Sequence, residues 1–378
     1  MRVLLLSPYP PQRDGIGDHA ASLAAALRAA GHEVGVVTPA PAAGAPPEVI
    51  ASLGGRDLAA RVRAFAPDVV HAQFAVAAFG PRALGMPRAL ARMRAATGAR
   101  VVVTVHEATR DTALLRAPGR ALYRRLGEVA DVVLAHTPAA ADALTGPIGV
   151  PAARVRRVAL EPRPLPPPAT DAAGLRATFG LGDDRLLLAF GFIHVDKGLD
   201  DLVSAFSLAS RRDPDATEGV RIVVAGEVRR RRGPLRAMEA RDRAHLASVR
   251  RMVRATGLSG RVTFTGFVPK GHMAPWFAAA AAVVLPYRRI EQSSVGGQAV
   301  AAGAPVVAST AGSLADDFGD PRWSFAPGDR EGLAGALLRL LAADPADTAR
   351  PAAPAAGDAF AATLAAYGGS PAREAVRA

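Results

Sequence analysis

Four stretches hold residues whose types and spacing could do chemistry on a charged or hydroxyl-bearing ligand. In AFGFIHVDKGLDDLVSAF (189–206), an apolar run leads into His194, Lys197 and Gly198 and then into a helix-like amphipathic segment. A cation just before a helix N-terminus suits a diphosphate, because the amine acts as a point charge while the first-turn amides donate hydrogen bonds. Lys197 stands out because Lys270 is the only other lysine in the chain. In RRIEQSSVGGQAVAAGAPVVAST (288–310), Gln292, Ser293, Ser294, Val295 and Gly296 supply hydroxyls and backbone amides ahead of a helix, which makes an anion cradle flanked by Glu291 and Gln298. In VTVHEATR (103–110), His106 and Glu107 follow an apolar strand, where a His beside an acid can hydrogen-bond sugar hydroxyls or move protons. Gln73 in VVHAQF could face the same edge, whereas His71 and His136 read as structural or peripheral.

The fourth stretch is PYPPQRDGIGDH (8–19). Its glycines, Gly17 among them, let backbone approach a ligand, and Asp18 and His19 sit where the next helix opens. GIGDHA matches a dinucleotide fingerprint in letters, but the loop is too long and proline-rich for the tight turn. The following strand ends VVTP, without the acid that would hold a ribose.

Alternating apolar strands and helical runs position these residues. Strand-like segments at 3–6, 70–74, 101–106 and 131–137, separated by helical stretches, give a parallel doubly wound sheet, with a helix expected from about Asp18 to Ala30. The proline-dense ALEPRPLPPPATDAAG (159–174) reads as a linker, after which the pattern restarts at LLLAFGF, RIVVAGE, RVTFTGF, AAVVLPY and APVVAS. The expected organisation is an N-terminal domain over 1–165, a second α/β domain over 166–345, and a linker with a final helix over 346–378. Two such domains imply a cleft between them. Ligands in such sheets bind at the carboxyl ends of the strands.

Composition narrows the classes. A chain of 378 residues suits two domains, and no apolar run approaches the roughly 20 residues of a membrane span. MRVLLLSPYPP is too short in apolar residues for a signal peptide, so the expected location is cytoplasmic. Cysteine is absent, which excludes disulfides, thiolate metal sites and a cysteine nucleophile. The net charge of +12 invites a nucleic-acid reading, yet it is almost all Arg in an Ala-, Gly- and Pro-rich chain, the signature of a GC-rich, actinobacterial-type genome. Five per cent aromatics offers few stacking platforms, and no nucleic-acid-binding motif is present, so no nucleic-acid partner is expected. The Arg229–Arg232 run reads as a solvated helix face, with a grip on an acceptor phosphate as the alternative. Arg82, Arg88, Arg92 and Arg94 lie among apolar residues and admit a weak peripheral membrane contact, against a plainly solvated basic face.

Taken in order, FGFIHVDKGLDDLVSAF, VVAGE, VTFTGFVP, VVLPYRRIEQSSVGGQAVAAGAPVVAS and AGSLADDF resemble the family-4 retaining glycosyltransferases of GT-B fold, in particular members with an FGFI-x-x-x-KG segment and a QSG loop. PYPPQRDGIGDH, GHEV, PDVVHAQ and VTVHE fit that family's acceptor domain. The resemblance implies two Rossmann-like domains, with the C-terminal helix crossing back to the first. It also implies sugar transfer from a nucleotide-diphosphate donor to a hydroxyl of a small-molecule, saccharide or lipid-linked acceptor, with retained anomeric configuration and no cofactor or essential metal. Lys197 would neutralise the leaving diphosphate, while His106 would bind the donor sugar and Glu291 would reach its hydroxyls. Gly17, His194, Gln292, Ser293, Ser294, Val295, Gly296 and Gln298 would bind the donor, and Asp18, His19, Gln73 and Glu107 the acceptor. Two departures stand out: Phe192 occupies a common arginine position, and counting back from Gly303 puts the family's two glutamates at Ile290 and Gln298. A degenerate nucleotide-sugar binder and a GT-B nucleotide-sugar epimerase are the alternatives.

Overall fold

A computed structural model describes residues 1–12, 14–40, 43–160, 165, 167–231, 236–318, 320–344, 348 and 358–368. Contacts divide the chain into two compact units, Met1–Glu161 with Pro354–Ala378, and Pro162–Ala353.

The first unit is built on seven strands: β1 (Arg2–Leu6), β2 (Glu33–Thr38), β3 (Val49–Ser52), β4 (Val69–Phe74), β5 (Arg100–Val105), β6 (Val132–Ala135) and β7 (Val155–Arg157). Their order is β3-β2-β1-β4-β5-β6-β7, and every pairing is parallel. Successive strand residues point to opposite faces, so Leu4 and Leu6 join one apolar cluster while Val3 and Leu5 join the other. A sheet covered on both sides needs apolar residues at nearly every strand position, which accounts for runs such as RVLLL and RVVVTV. The order reverses between β1 and β4, and a crevice at their carboxyl ends is the expected ligand position.

The second unit repeats the plan with β8 (Arg185–Phe190), β9 (Val220–Ala225), β10 (Val262–Phe264), β11 (Ala280–Leu285), β12 (Val306–Ser309) and β13 (Ser324–Phe325), ordered β10-β9-β8-β11-β12-β13 and again parallel. Its switch point lies between β8 and β11.

Three sequence expectations need correction. The first helix spans Gly15–Ala29, because the Asp14 carboxylate accepts from the N–H groups of Ile16 and Gly17 and caps it three residues early. Gly17 is therefore a helical residue, and a Cβ there would lie 3.1 Å from the Pro8 backbone. Arg229–Arg231 precede the Arg236–Ala255 helix and do not form its solvated face, while Arg232 lies outside the described residues. Strands β3, β7 and β13 were not foreseen; each has two to four residues and little apolar alternation. The final helix, Asp358–Ala366, packs on the first unit: Ala366 and Tyr367 are buried with Val3 and Leu5, and the Arg100 Nε donates to the Ala366 carbonyl. Among the described residues no helix is long and apolar enough to cross a membrane.

Candidate functional site

In the second unit, β8 delivers its carboxyl end to Gly191, and the loop brings Lys197 back over that end. The Lys197 amine donates to the Phe190 carbonyl at 3.3 Å and sits 5.1 Å from the centre of the Tyr287 ring. Gly191 has φ +101°, and a Cβ there would lie 3.0 Å from the Lys197 Nζ. Phe190, Gly191, Phe192, Lys197, Pro286 and Tyr287 line a small pocket at this edge. Gly198 has φ +61°, and a Cβ on it would be 2.0 Å from the Pro286 carbonyl oxygen, so the Lys-Gly pair is what lets the loop after β8 press against the end of β11.

The two loops are tied together by charge. Arg288, just past β11, donates through Nε to Asp201 at 2.7 Å and through a terminal nitrogen to Asp200 at 2.6 Å, while Arg330 donates to the other Asp201 oxygen at 2.8 Å. Arg289 reaches Asp196 at 2.8 Å, and the Arg288 amide donates to the Asp196 carbonyl at 2.7 Å. Asp201 is 2% exposed, a buried charge tolerated because two guanidiniums face it. These two carboxylates push Arg288 further above the ordinary arginine range.

Beyond the clamp, Ser293 is the N-cap of the Ser294–Ala301 helix, its hydroxyl accepting from the Gly296 N–H at 3.2 Å. This gives Ser293 a folding role at the position expected to bind an anion. Ser294 and Val295 occupy the first helical positions, where amides have no acceptor within the helix. Val295 approaches Gly191, since a Cβ at Gly191 would lie 3.5 Å from a Val295 methyl, so the two anion-directed loops meet at one spot. Gly296 packs on Phe318 so closely that a Cβ would fall 2.3 Å from the ring. Gln298 is buried, 3% exposed, on the same helix, and the Gln292 Oε1 is buried without a hydrogen-bond partner. The Glu291 carbonyl accepts from the Ser313 N–H at 3.2 Å, which fixes the backbone before the cap. His194 caps the short turn over Val195–Lys197 and faces the carboxylates of Asp196 at 3.3 Å and Asp242 at 3.8 Å. Arg229 stacks over Phe192 at 4.7 Å, which brings a guanidinium next to the residue that lacks one.

The first unit collects imidazoles instead. His106 ends β5, its N–H donating to the Phe74 carbonyl at 2.9 Å, and its Nε2 donates to the Gln73 Oε1 at 2.8 Å. His71 and Gln73 share one face of β4, and the Gln73 amide nitrogen donates to the His71 Nε2 at 3.2 Å. His71 also bonds Thr104 and Tyr367, each at 2.7 Å. His19, in the first helix, and His136, ending β6, complete a trio with His106, with ring centres 5.0 to 5.6 Å apart. Burial, reinforced by the neighbouring imidazoles, holds His106 far below the ordinary histidine range. Burial also lowers His136 to about 4 despite its bond to the Val158 carbonyl, and His71 to about 3. Glu107 pairs with Arg110 at 3.0 Å, and Asp18 lies half-buried one residue before His19.

The structure thus gathers Lys197 and Val295 in one unit, with Ser293 and Gly296 building the helix start beside them, and His19, Gln73 and His106 in the other. Sequence reasoning set His71 and His136 aside as structural or peripheral; the structure bonds His71 to Gln73 and puts the His136 ring beside His106. Sequence reasoning missed Asp196, Asp200, Asp201 and Arg330, which resemble ordinary surface charge until the two loops are seen together.

Both units match known families. Residues 13–159 match Glycosyltransferase Family 4, and residues 184–343 match Glycosyl transferases group 1. The chain has the GT-B fold, with a glycosyltransferase-family domain in each half. HepE of Anabaena, in complex with UDP and glucose, superposes with a TM-score of 0.71 at 18% identity, over 97% of this chain and 95% of HepE. Among curated relatives, the mannosylfructose-phosphate synthase of Agrobacterium fabrum is 26% identical over 55% of this chain and 44% of its own length. The D-inositol 3-phosphate glycosyltransferase of Streptomyces avermitilis is 30% identical over 48% of this chain and 38% of its own. The chain therefore spans less than half the length of either curated relative.

Proposed function

We propose that the protein is a retaining glycosyltransferase that moves a sugar from a nucleotide-diphosphate donor to a hydroxyl of a small-molecule, saccharide or lipid-linked acceptor. The observation that carries this reading is Lys197, seated over the end of β8 beside the first turn of the Ser294–Ala301 helix. Breaking the bond between the sugar and the diphosphate leaves negative charge on the phosphate oxygen. A fixed ammonium and fixed amides stabilise that charge more than they stabilise the donor, and this difference lowers the barrier. Ser294, Val295 and Gly296 would hold the diphosphate, with Gln292 and His194 beside it. Gln298 would accept a hydrogen bond from the ribose, and Glu291 would receive the sugar hydroxyls.

His106 would bind the donor sugar as a neutral imidazole, with its orientation set by Gln73, and His19, Asp18 and Glu107 would face the acceptor. With its one N–H given to Gln73, the neutral ring keeps Nδ1 as an acceptor for a sugar hydroxyl. HepE, which shares the fold, is seen with UDP and glucose, and both curated relatives are named for products or substrates carrying a sugar or polyol phosphate. A melting screen over uridine, thymidine, guanosine and adenosine diphosphates names the donor base, and transfer assays with the matching nucleotide-sugars follow. An α-linked product from an α-linked donor, read by NMR, is expected. Nucleotide binding without any turnover would instead mark a binding homologue, and a nucleotide-sugar with one inverted carbon would mark an epimerase.

A further inference from the structure

We propose that His19, His106 and His136 form a binding site for one divalent cation of the zinc class, with a fourth position open to an oxygen ligand. The site rests on the first unit alone; with an ion bound, His106 and His19 would act on a sugar through the ion's open position instead of touching it directly. One nitrogen from each ring lies within 4.8 Å of the others. The rings come from three separate elements, the first helix and the ends of β5 and β6, so the fold itself brings them together.

Hydrogen bonds orient two of the rings as ligands require. The His136 Nδ1 donates to the Val158 carbonyl at 2.9 Å, and the His106 Nε2 donates to the Gln73 Oε1 at 2.8 Å. Metal-bound histidines use partners of this kind, a backbone carbonyl or a side-chain oxygen, to fix which nitrogen carries the lone pair. The nitrogens left to bind are then the His136 Nε2 and the His106 Nδ1. The His136 Nε2 is buried and has no hydrogen-bond partner, an orphan that edge-on packing of imidazoles does not explain and a cation would satisfy. Support continues inward, since Gln73 is held by His71, and His71 by Thr104 and Tyr367.

The donor set chooses the ion. Three imidazoles without a carboxylate favour Zn2+, and Co2+, Ni2+ or Cu2+, over Mg2+ or Ca2+. Zinc–nitrogen bonds of about 2.0–2.1 Å put tetrahedral nitrogens about 3.4 Å apart, so the rings would draw in on binding. The remaining position would take water or a hydroxyl of a bound sugar.

Equilibrium dialysis of the untagged full chain against Zn2+, together with the visible spectrum of the Co2+ form, tests the site. The expected result is one ion per chain, a tetrahedral Co2+ spectrum, and no competition from excess Mg2+. His19→Ala, His106→Ala and His136→Gln should each weaken binding at least about 100-fold, as loss of a direct ligand exceeds loss of a supporting one. His272→Ala, in the second unit, should bind as wild type. If His106→Ala does not fold, His19→Ala alone decides. Absence of a bound ion in the wild type, or unchanged affinity in a His19→Ala protein that melts normally, overturns the proposal.

Discussion

The two switch-point edges use the same sheet geometry and opposite chemistry. The edge of the second unit is ionic: a lysine over a strand end, and two loops clamped by aspartate–arginine pairs. The edge of the first unit is a set of buried, neutral imidazoles joined by a glutamine. Parallel sheets offer a crevice at a fixed place, and side chains decide what enters it. Fixed cations and helix amides suit a diphosphate, whereas neutral rings suit hydroxyls or a soft cation. The clamp has a further role. It pairs Asp200 and Asp201 with Arg288 and Arg330, which occupies the carboxylates at the start of the helix that follows Lys197.

The largest effect should come from removing the cation that defines the ionic edge. Lys197→Ala should lower kcat/KM by about 10²–10³, the range seen when one donor to a developing negative charge is lost. Its melting temperature should stay within a degree or two of wild type, because the amine's contacts described above are one long hydrogen bond and the face of the Tyr287 ring. Equal turnover in the two proteins would remove Lys197 from the chemistry.

The imidazole edge should respond to pH where the ionic edge does not. His136 and His71 have folded-state values of about 4 and about 3, below the ordinary 6.5, so between those limits the unfolded chain takes up protons that the folded chain refuses. Stability from this source is complete above about pH 6.5 and falls as pH drops, by roughly 1.4 kcal/mol per pH unit for each group. By pH 5 the loss from the two groups together should be about 4 kcal/mol. Melting curves between pH 7.5 and 5 check it, and His136→Gln should flatten the slope by about one group. A slope unchanged by His136→Gln would mean that the edge is not held neutral as described.

A smaller effect separates the clamp from the lysine. Asp201→Asn keeps the shape but leaves Arg288 and Arg330 without a buried counter-charge, at a cost of about 2 kcal/mol once the partial exposure of both arginines is discounted. Denaturant unfolding measures it, and the loss should appear with no change in the pH slope. The same loops show why Gly198 cannot be exchanged: alanine there would combine positive φ with a clash against Pro286.

Much of this was readable in the residues themselves. Apolar runs bounded by Gly and Pro marked ten of the thirteen strands, and Lys197 announced itself by rarity and by the glycine after it. The missing parts share one physical cause. Asp200, Asp201 and Arg330 look like ordinary charges on helix starts, and only a register between distant loops makes them partners. His71 and His136 likewise sit at strand positions that look purely structural. What gives them meaning is that β4, β5 and β6 are neighbours, so that a bond chain can run from Tyr367 to His106. The early start of the first helix was a local error, because Asp14 is a better cap than Asp18 once Gly15 and Gly17 are allowed to be helical.

Gln298 offers the finest test of the ionic edge. The proposed roles put its amide oxygen on a ribose hydroxyl, and a carboxylate in the same place would accept that hydrogen bond more strongly. The residue is 3% exposed, however, so Gln298→Glu also buries a charge in the empty site. The two effects oppose each other and separate by ligand: the variant without nucleotide should lose about 1 kcal/mol of stability, while the matching nucleoside diphosphate should bind a few-fold tighter, because a ribose hydroxyl then satisfies the carboxylate. Isothermal titration of wild type and variant with the nucleoside diphosphate, and with the free phosphate-bearing sugar as a ribose-free control, measures the difference. Tighter binding confined to the nucleotide would show that Gln298 faces the ribose. Weaker binding of the nucleotide would move the ribose elsewhere on the helix and leave Gln298 as a packing residue behind the anion cradle.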